Sequence, residues 1–523
     1  MTTITVKSVI ALLLISLGSV HAQSTAAAAF GFENVEQTAR ELATRPFEAP
    51  ENEVPDFLLD LSYDQWRDIR FRTEKSLWQD EKLPFEAQFF HPGCFYDRFV
   101  EINIVDGSGV HPYPYDPSLF DYGNNSFAAK IPEKFGFAGF RLHYPINRND
   151  YRDEVVVFLG ASYFRAIAKN QTYGLSARGV AVDTALDSGE EFPYFKKFWL
   201  VKPDPGANTM VIFALLDSAS LTGAYKFIIE PGSSTQTEVT LTLFARKAIK
   251  KLGLAALTSM YFYGESDNCR PVDDFRPEIH DSDGLLMAYP SGEFVWRPLV
   301  NYKSLFTNAF VMPDLLGFGL IQRDQNFNHY QDLETHYEKR PSTWVTPVGD
   351  WGAGHVELIQ IPTKSEKNDN IVAFWTPEQA LTPDRPHRYR YGLSWFSADN
   401  AKQHALGYVA ATRTAAVDKE NQRKLIVDFT GGRLSNLPTV LPAEAPLEPV
   451  ITVQGEGEVV ESQLYHNESG NGWRLVFIVQ RQARSTLEKV LPDNAQSAPI
   501  EIRAYIRQAG QVLTESWSYA IRF

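Results

Sequence analysis

Residues 237–244 read TEVTLTLF, an alternation of apolar and hydrogen-bonding side chains with period two. Successive side chains of an extended chain point to opposite faces, so such a run buries one face and wets the other. Apolar runs of strand length surround it: EVVVFL at 154–159, MVIFALL at 210–216 and AYKFII at 224–229. The sequence closes on strand signals at 500–506 and 513–519, separated by Ala509-Gly510, which predicts a hairpin. Helix starts are few. NVEQ at 34–37 and SYDQ at 62–65 read as capping boxes and predict helices over 34–44 and 62–71. The expected class is all-β.

At 523 residues the chain is too long for one ordinary core. A break in the strand pattern falls at 397–404, after a strand over 389–396. The part before it, 23–396, is expected to be a large N-terminal antiparallel β-sandwich. The part after it, 405–523, carries strand signals between turns at Gly431-Gly432, Gly455-Glu456-Gly457 and 469–472. Its length and pattern predict an immunoglobulin-like C-terminal sandwich.

The first 22 residues have the form of a signal peptide: one Lys, the short apolar core VIALLLISL, and Val20-His21-Ala22 before Gln23. The apolar core is too short to cross a bilayer, so export without membrane insertion is expected. The net charge of −14 disfavours nucleic acid and anionic surfaces and suits a neutral ligand. The 10 Trp, 23 Tyr and 35 Phe offer many flat apolar faces, of which some could stack on sugar rings. Cys94 and Cys269 could pair in an oxidising compartment or stay as separate thiols. No metal-ligand spacing and no cofactor motif is present.

The stretch 362–375, PTKSEKNDNIVAFW, sets a crowded polar turn directly before an apolar strand. A rigid strand can hold a catalytic carboxylate still, and Glu366 and Asp369 lie in that turn. Asp281 lies in a second polar turn, PEIHDSDG at 277–284, and Glu334, Tyr337 and Arg340 lie in a third, at 331–342. Trp296, Trp344, Trp351 and Trp375 flank these turns. Acids interleaved with aromatics suit a carbohydrate site, because glycosidic cleavage needs one carboxylic acid and one carboxylate.

Long stretches carry a resemblance: GFAGFRLHYPIN (136–147), residues 159–200, GAYKF (223–227), LTSM (257–260), RPEIHDSDGL (276–285), VWRPL (295–299), HYEKRPSTWVTPVGDWG (336–352) and NDNIVAFWTPE (368–378). They resemble the periplasmic glucans biosynthesis proteins G and D over nearly the whole mature chain, with 337–352 and AATRT at 410–414 leaning toward D. The resemblance implies a mutarotase-like N-terminal sandwich joined to an immunoglobulin-like one, location in the periplasm, and similarity to inverting endo-β-1,2-glucanases. It implies Asp369 as general acid, Asp281 as base and Glu366 as a proton relay. Tyr337, Arg340 and Trp296 are candidate sugar ligands, although Arg340 could pin its loop and Trp296 could be core. Asp369 is expected to be kept protonated by burial and by Glu366. The expected partners are β-1,2-glucan and a membrane glucan synthase. A glucan-guiding scaffold without hydrolysis is the rival reading.

Overall fold

The computed structural model describes residues 30–51, 53–267, 270–397, 404–438, 445–482 and 498–523. The expected signal peptide over 1–22, most of the expected 397–404 break and Cys269 lie outside these residues. The described residues are 48% strand and 9% helix, which makes this the all-β sandwich protein that the alternating runs predict. The run 237–244 is the middle of the strand Ser234–Ala245, with Val239, Leu241 and Leu243 in the core.

Two large sheets face each other across the main core. One has ten strands and places Gly139–Arg148, Tyr151–Leu159, Tyr163–Ala166, Ser176–Arg178, Leu252–Ser259, Ile371–Pro377 and Gly354–Gln360 side by side. The other has fifteen and runs from Gly109–Pro112 through Met210–Asp217, Leu221–Glu230, Ser234–Ala245 and His387–Phe396 to Gly284–Ala288 and Phe294–Pro298. Phe158, Phe164 and Trp375 of the first sheet meet Phe227, Leu241 and Trp395 of the second in one hydrophobic cluster. Burying such rings contributes about 1.5–3 kcal/mol apiece before entropy is counted.

The second sheet does not stop at the end of the large sandwich. Phe294–Pro298 pairs in parallel with Ser516–Ile521, through Val295 opposite Ser516 and Trp296 opposite Trp517. The same sheet therefore continues into Ile500–Gln508 and Leu447–Gln454. A four-stranded sheet, Tyr408–Ala416, Gln422–Thr430, Gly472–Arg481 and Gly457–Asn467, covers these strands. Its core residues Leu425 and Phe477 share a cluster with Leu286, Trp296, Trp344 and Trp517 of the large sheet.

The helices are shorter or shifted. The first spans Phe32–Ala43 and is capped at Gly31, whose N–H donates to Asn34 Oδ1 at 2.8 Å, so it begins before the predicted start. The second has the predicted Ser62–Gln65 capping box but covers only Tyr63–Arg67. Arg70–Phe71 leaves the helix to pair with Phe120–Asp121, a contact distant in sequence that outweighs helix propensity.

Candidate functional site

The polar turn before Ile371 is pinned by Asn370, which is 1% exposed. Its side-chain amide donates to the carbonyls of Tyr261 and Ile361 at 2.9 and 3.0 Å, and its Oδ1 accepts the Tyr261 N–H at 2.8 Å. Its own N–H donates to the Ser259 carbonyl at 3.0 Å. The far leg of the turn is held by Asn301, which exchanges hydrogen bonds with the Thr363 backbone at 2.9 and 3.1 Å. Both legs of the loop bearing Glu366 and Asp369 are thus fastened to buried groups, which is the rigid placement the sequence suggests.

Asp281 follows the short strand Ile279–His280, and its N–H donates to the Met260 carbonyl at 2.8 Å. The residue is buried, at 8% exposure. Arg340 Nε stands 3.4 Å from Asp281 Oδ1, too oblique for a hydrogen bond, and both atoms are left without one. The Arg340 stem packs over Gly174, where a Cβ would crowd it at 3.0 Å. Its guanidinium lies 5.2 Å from the Tyr337 ring centre. Tyr337 is itself buried, and its hydroxyl donates to Glu366 Oε2 at 2.8 Å.

Glu366 is also clamped by Arg276, which donates to its Oε2 at 2.8 Å and its Oε1 at 3.3 Å. The same guanidinium bonds Asp332 at 2.9 Å and both carboxylate oxygens of Asp274. Arg276 holds the Asp274 carboxyl down at about 2. On the other side of the cluster, Arg165 stands 3.8 Å from Asp369 Oδ2. Arg165 and Tyr163 come from the strand Tyr163–Ala166, on the face away from the core, and Arg178 lies 4.8 Å over the Tyr163 ring.

The charges act on one another. Burial raises the Asp281 carboxyl above its usual range; Arg340 opposes this, and the charge of Asp369 adds to it. Burial and then the bond to Glu366 raise the Tyr337 hydroxyl, which also feels Asp281. Asp281, far in sequence from Glu366 and Asp369, therefore meets them around Tyr337, Arg340 and Arg165. A carboxyl open to solvent, an enclosed carboxylate of raised proton affinity and a hydroxyl between acids are parts from which proton transfer can be built.

Two expectations are corrected. Asp369 is not buried: its side chain is 33% exposed and faces the Arg165 guanidinium. Trp296 stands apart from the cluster. It is 3% exposed, Gly284 lies against its indole, and Arg323 covers the ring at 3.6 Å. A ring closed on both faces within the shared C-terminal core offers no platform to a sugar. Reading the sequence for acids missed Arg165, Arg276 and Asn370. Arg276 opens the RPEIHDSDGL stretch, and a cation beside paired acids was the available signal.

A second ionic cluster lies behind Asp281. His280 Nε2 meets Glu278 Oε2 and its Nδ1 meets Gln322 Oε1, both at 3.0 Å. Gln322 Nε2 donates to the carbonyls of His280 and Tyr337 and to the Tyr330 hydroxyl, so its Oε1 is the acceptor for the ring. Burial works against charge on His280, but Asp283 and Glu278 outweigh it and raise it to about 9.

The periplasmic glucan biosynthesis protein family model, MdoG, matches residues 30–521. The glucans biosynthesis protein G of Ralstonia nicotianae is 46% identical over 509 residues, covering 96% of this chain and 97% of that protein. A polysaccharide lyase structure aligns with a TM-score of 0.24 at 12% identity, over 74% of this chain and 45% of that one. Among the described residues no helix is long and apolar enough to cross a membrane. Matched by the family model over nearly all its length, the chain belongs to the MdoG family of periplasmic glucan biosynthesis proteins.

Proposed function

We propose that this protein is an inverting endo-β-1,2-glucanase that trims the glucan backbone in the periplasm. The observation that carries the reading is the meeting of Asp369, Asp281 and Glu366 around Tyr337 and Arg340. Asp369, on the open side, gives its proton to the scissile oxygen. A sugar seated over the loop excludes water from the transfer. Water attacks the anomeric carbon from the opposite face, and its proton passes to Asp281 by way of ordered water, with Glu366 and Tyr337 on the route. Asp281 suits the base role because burial raises its proton affinity while Arg340 favours its ionised form.

The Arg165–Asp369 pair favours a second reading. A carboxylate held by a cation can bind a sugar hydroxyl without donating a proton, as a scaffold that guides glucan from a membrane synthase would need. Purified protein incubated with linear β-1,2-glucan separates the two. New reducing ends in the wild type and none in Asp369→Asn support hydrolysis. Binding without chain shortening supports the scaffold, and wild-type hydrolysis by Asp369→Asn removes Asp369 from the acid role.

A further inference from the structure

Beside the Glu366 clamp lies a shallow open depression lined by Phe275, Arg276, Asp332, Leu333 and Glu334 among others. Phe275 is 72% exposed and Leu333 is 76% exposed. Exposed apolar side chains on loops are usually free to turn, but these two are not freely placed. Phe275 sits between Asp274 and Arg276, whose side chains are bonded to each other. Leu333 sits between Asp332, which bonds Arg276, and Glu334, whose N–H donates to Asp332 Oδ1 at 2.9 Å. One guanidinium thus fixes both loops and Glu366 together. Folding gains little from two large apolar groups left in water on an anchored backbone; binding does, because part of the ordering is done before a ligand arrives.

We infer that this depression is a further glucan subsite, in which Phe275 and Leu333 support the apolar face of a glucose unit of the chain beyond Glu366. The inference rests on the glucan reading above and deepens it. The chemistry of the wall favours a neutral sugar. Its acids Asp274 and Asp332 bond Arg276, the wall as a whole stays acidic and so disfavours anions, and Gln331 and Glu334 at the rim remain exposed to hydrogen-bond hydroxyls. The shared Arg276 makes the surface continuous with the candidate cluster, so one chain can reach both.

The test is titration calorimetry of the full chain with linear β-1,2-glucan, as long polymer and as short oligosaccharides. Phe275→Ala/Leu333→Ala should weaken the long polymer about fivefold to tenfold, leave short oligosaccharides unchanged, and keep the wild-type Tm. Phe275→Trp should retain the long-polymer affinity. Unchanged affinity of the double variant for the long polymer would overturn the subsite while leaving the site at Asp369 standing. A wild type that binds neither length would overturn the glucan reading itself. Loss of a dimer in the double variant, with glucan binding intact, would make this face a subunit contact and also overturn the subsite.

Discussion

Tyr337 donates its hydroxyl to Glu366 Oε2 at 2.8 Å, and on its other side feels the charge of Asp281. A single buried phenol thereby joins the two loops that carry the proposed acid and base. Tyr337→Phe keeps the ring and removes the link. It should lower kcat on β-1,2-glucan about tenfold to a hundredfold with little change in KM, and cost about 1 kcal/mol of stability. Reducing-end assays with a thermal melt check both, and an unchanged kcat removes Tyr337 from the proton route.

Asp281→Asn should separate activity from stability. As the base it contributes on the order of 10²–10⁴ in rate, so hydrolysis should nearly vanish. Its folded carboxyl is raised by burial, so the folded chain holds that proton more tightly than the unfolded one. The stability this gives is present at acid pH and is lost as pH rises through the raised value. Asn copies the neutral form, so the variant should melt higher than wild type at pH 7, with the gap closing at acid pH. A lower Tm at pH 7 would show that Arg340 makes the ionised form the better one.

His280 has the opposite charge and a pH window of its own. Its unfolded value is 6.5 and its folded value about 9, so the imidazolium contributes fully below 6.5 and is lost as pH rises through about 9. Asp283, raised by burial to about 6, and Glu265, raised by burial to about 7, face the same cluster and titrate lower. Between pH 7 and 9 the wild type should therefore lose about 2 kcal/mol, because His280 is still half protonated at its folded value. His280→Asn should lower stability at pH 7 by about 3 kcal/mol and flatten that slope, because Glu278 and Asp283 lose their buried partner. Urea midpoints across pH measure both, and an unaltered slope would mean that His280 is not the titrating group.

The strands were legible because alternation and apolar runs are local: 237–244 and 371–375 fall inside Ser234–Ala245 and Ile371–Pro377. The second helix was overread because the capping box at Ser62 is local, while the pairing that ends the helix joins Phe71 to Phe120. The acids could be named from their motifs, but their surroundings could not. Whether Asp369 is open depends on what covers its loop, and no neighbour in sequence reports that. Trp296 was ambiguous for the same reason, since its partner Trp517 is over two hundred residues away.

Asn370 adjoins the proposed acid yet faces inward, so it provides a test of loop rigidity alone. Asn370→Ala leaves the Tyr261 N–H and carbonyl and the Ile361 carbonyl without their partners. Orphaning buried backbone groups costs about 1–3 kcal/mol each at most, so a loss of about 3 kcal/mol is expected. With Asp369 chemically intact but loosely held, kcat should fall at least about tenfold, because proton donation requires the acid within hydrogen-bond reach of the scissile oxygen.

Trp296→Ala gives the converse result. The ring fills the junction where the large sheet runs on into the C-terminal strands, with Leu286, Trp344 and Trp517 in the same cluster. Truncation should cost about 3–5 kcal/mol, as for other large core side chains. It also uncovers the Arg323 guanidinium, which is ion-paired to the buried Glu515 at 2.6 Å, so water gains access to that pair. Below its lowered Tm the variant should nevertheless bind β-1,2-glucan with wild-type affinity, since Trp296 contributes nothing to the Asp369 cluster. Calorimetry at a temperature where circular dichroism shows the variant folded measures this, and a large loss of affinity there would return Trp296 to the sugar-binding surface.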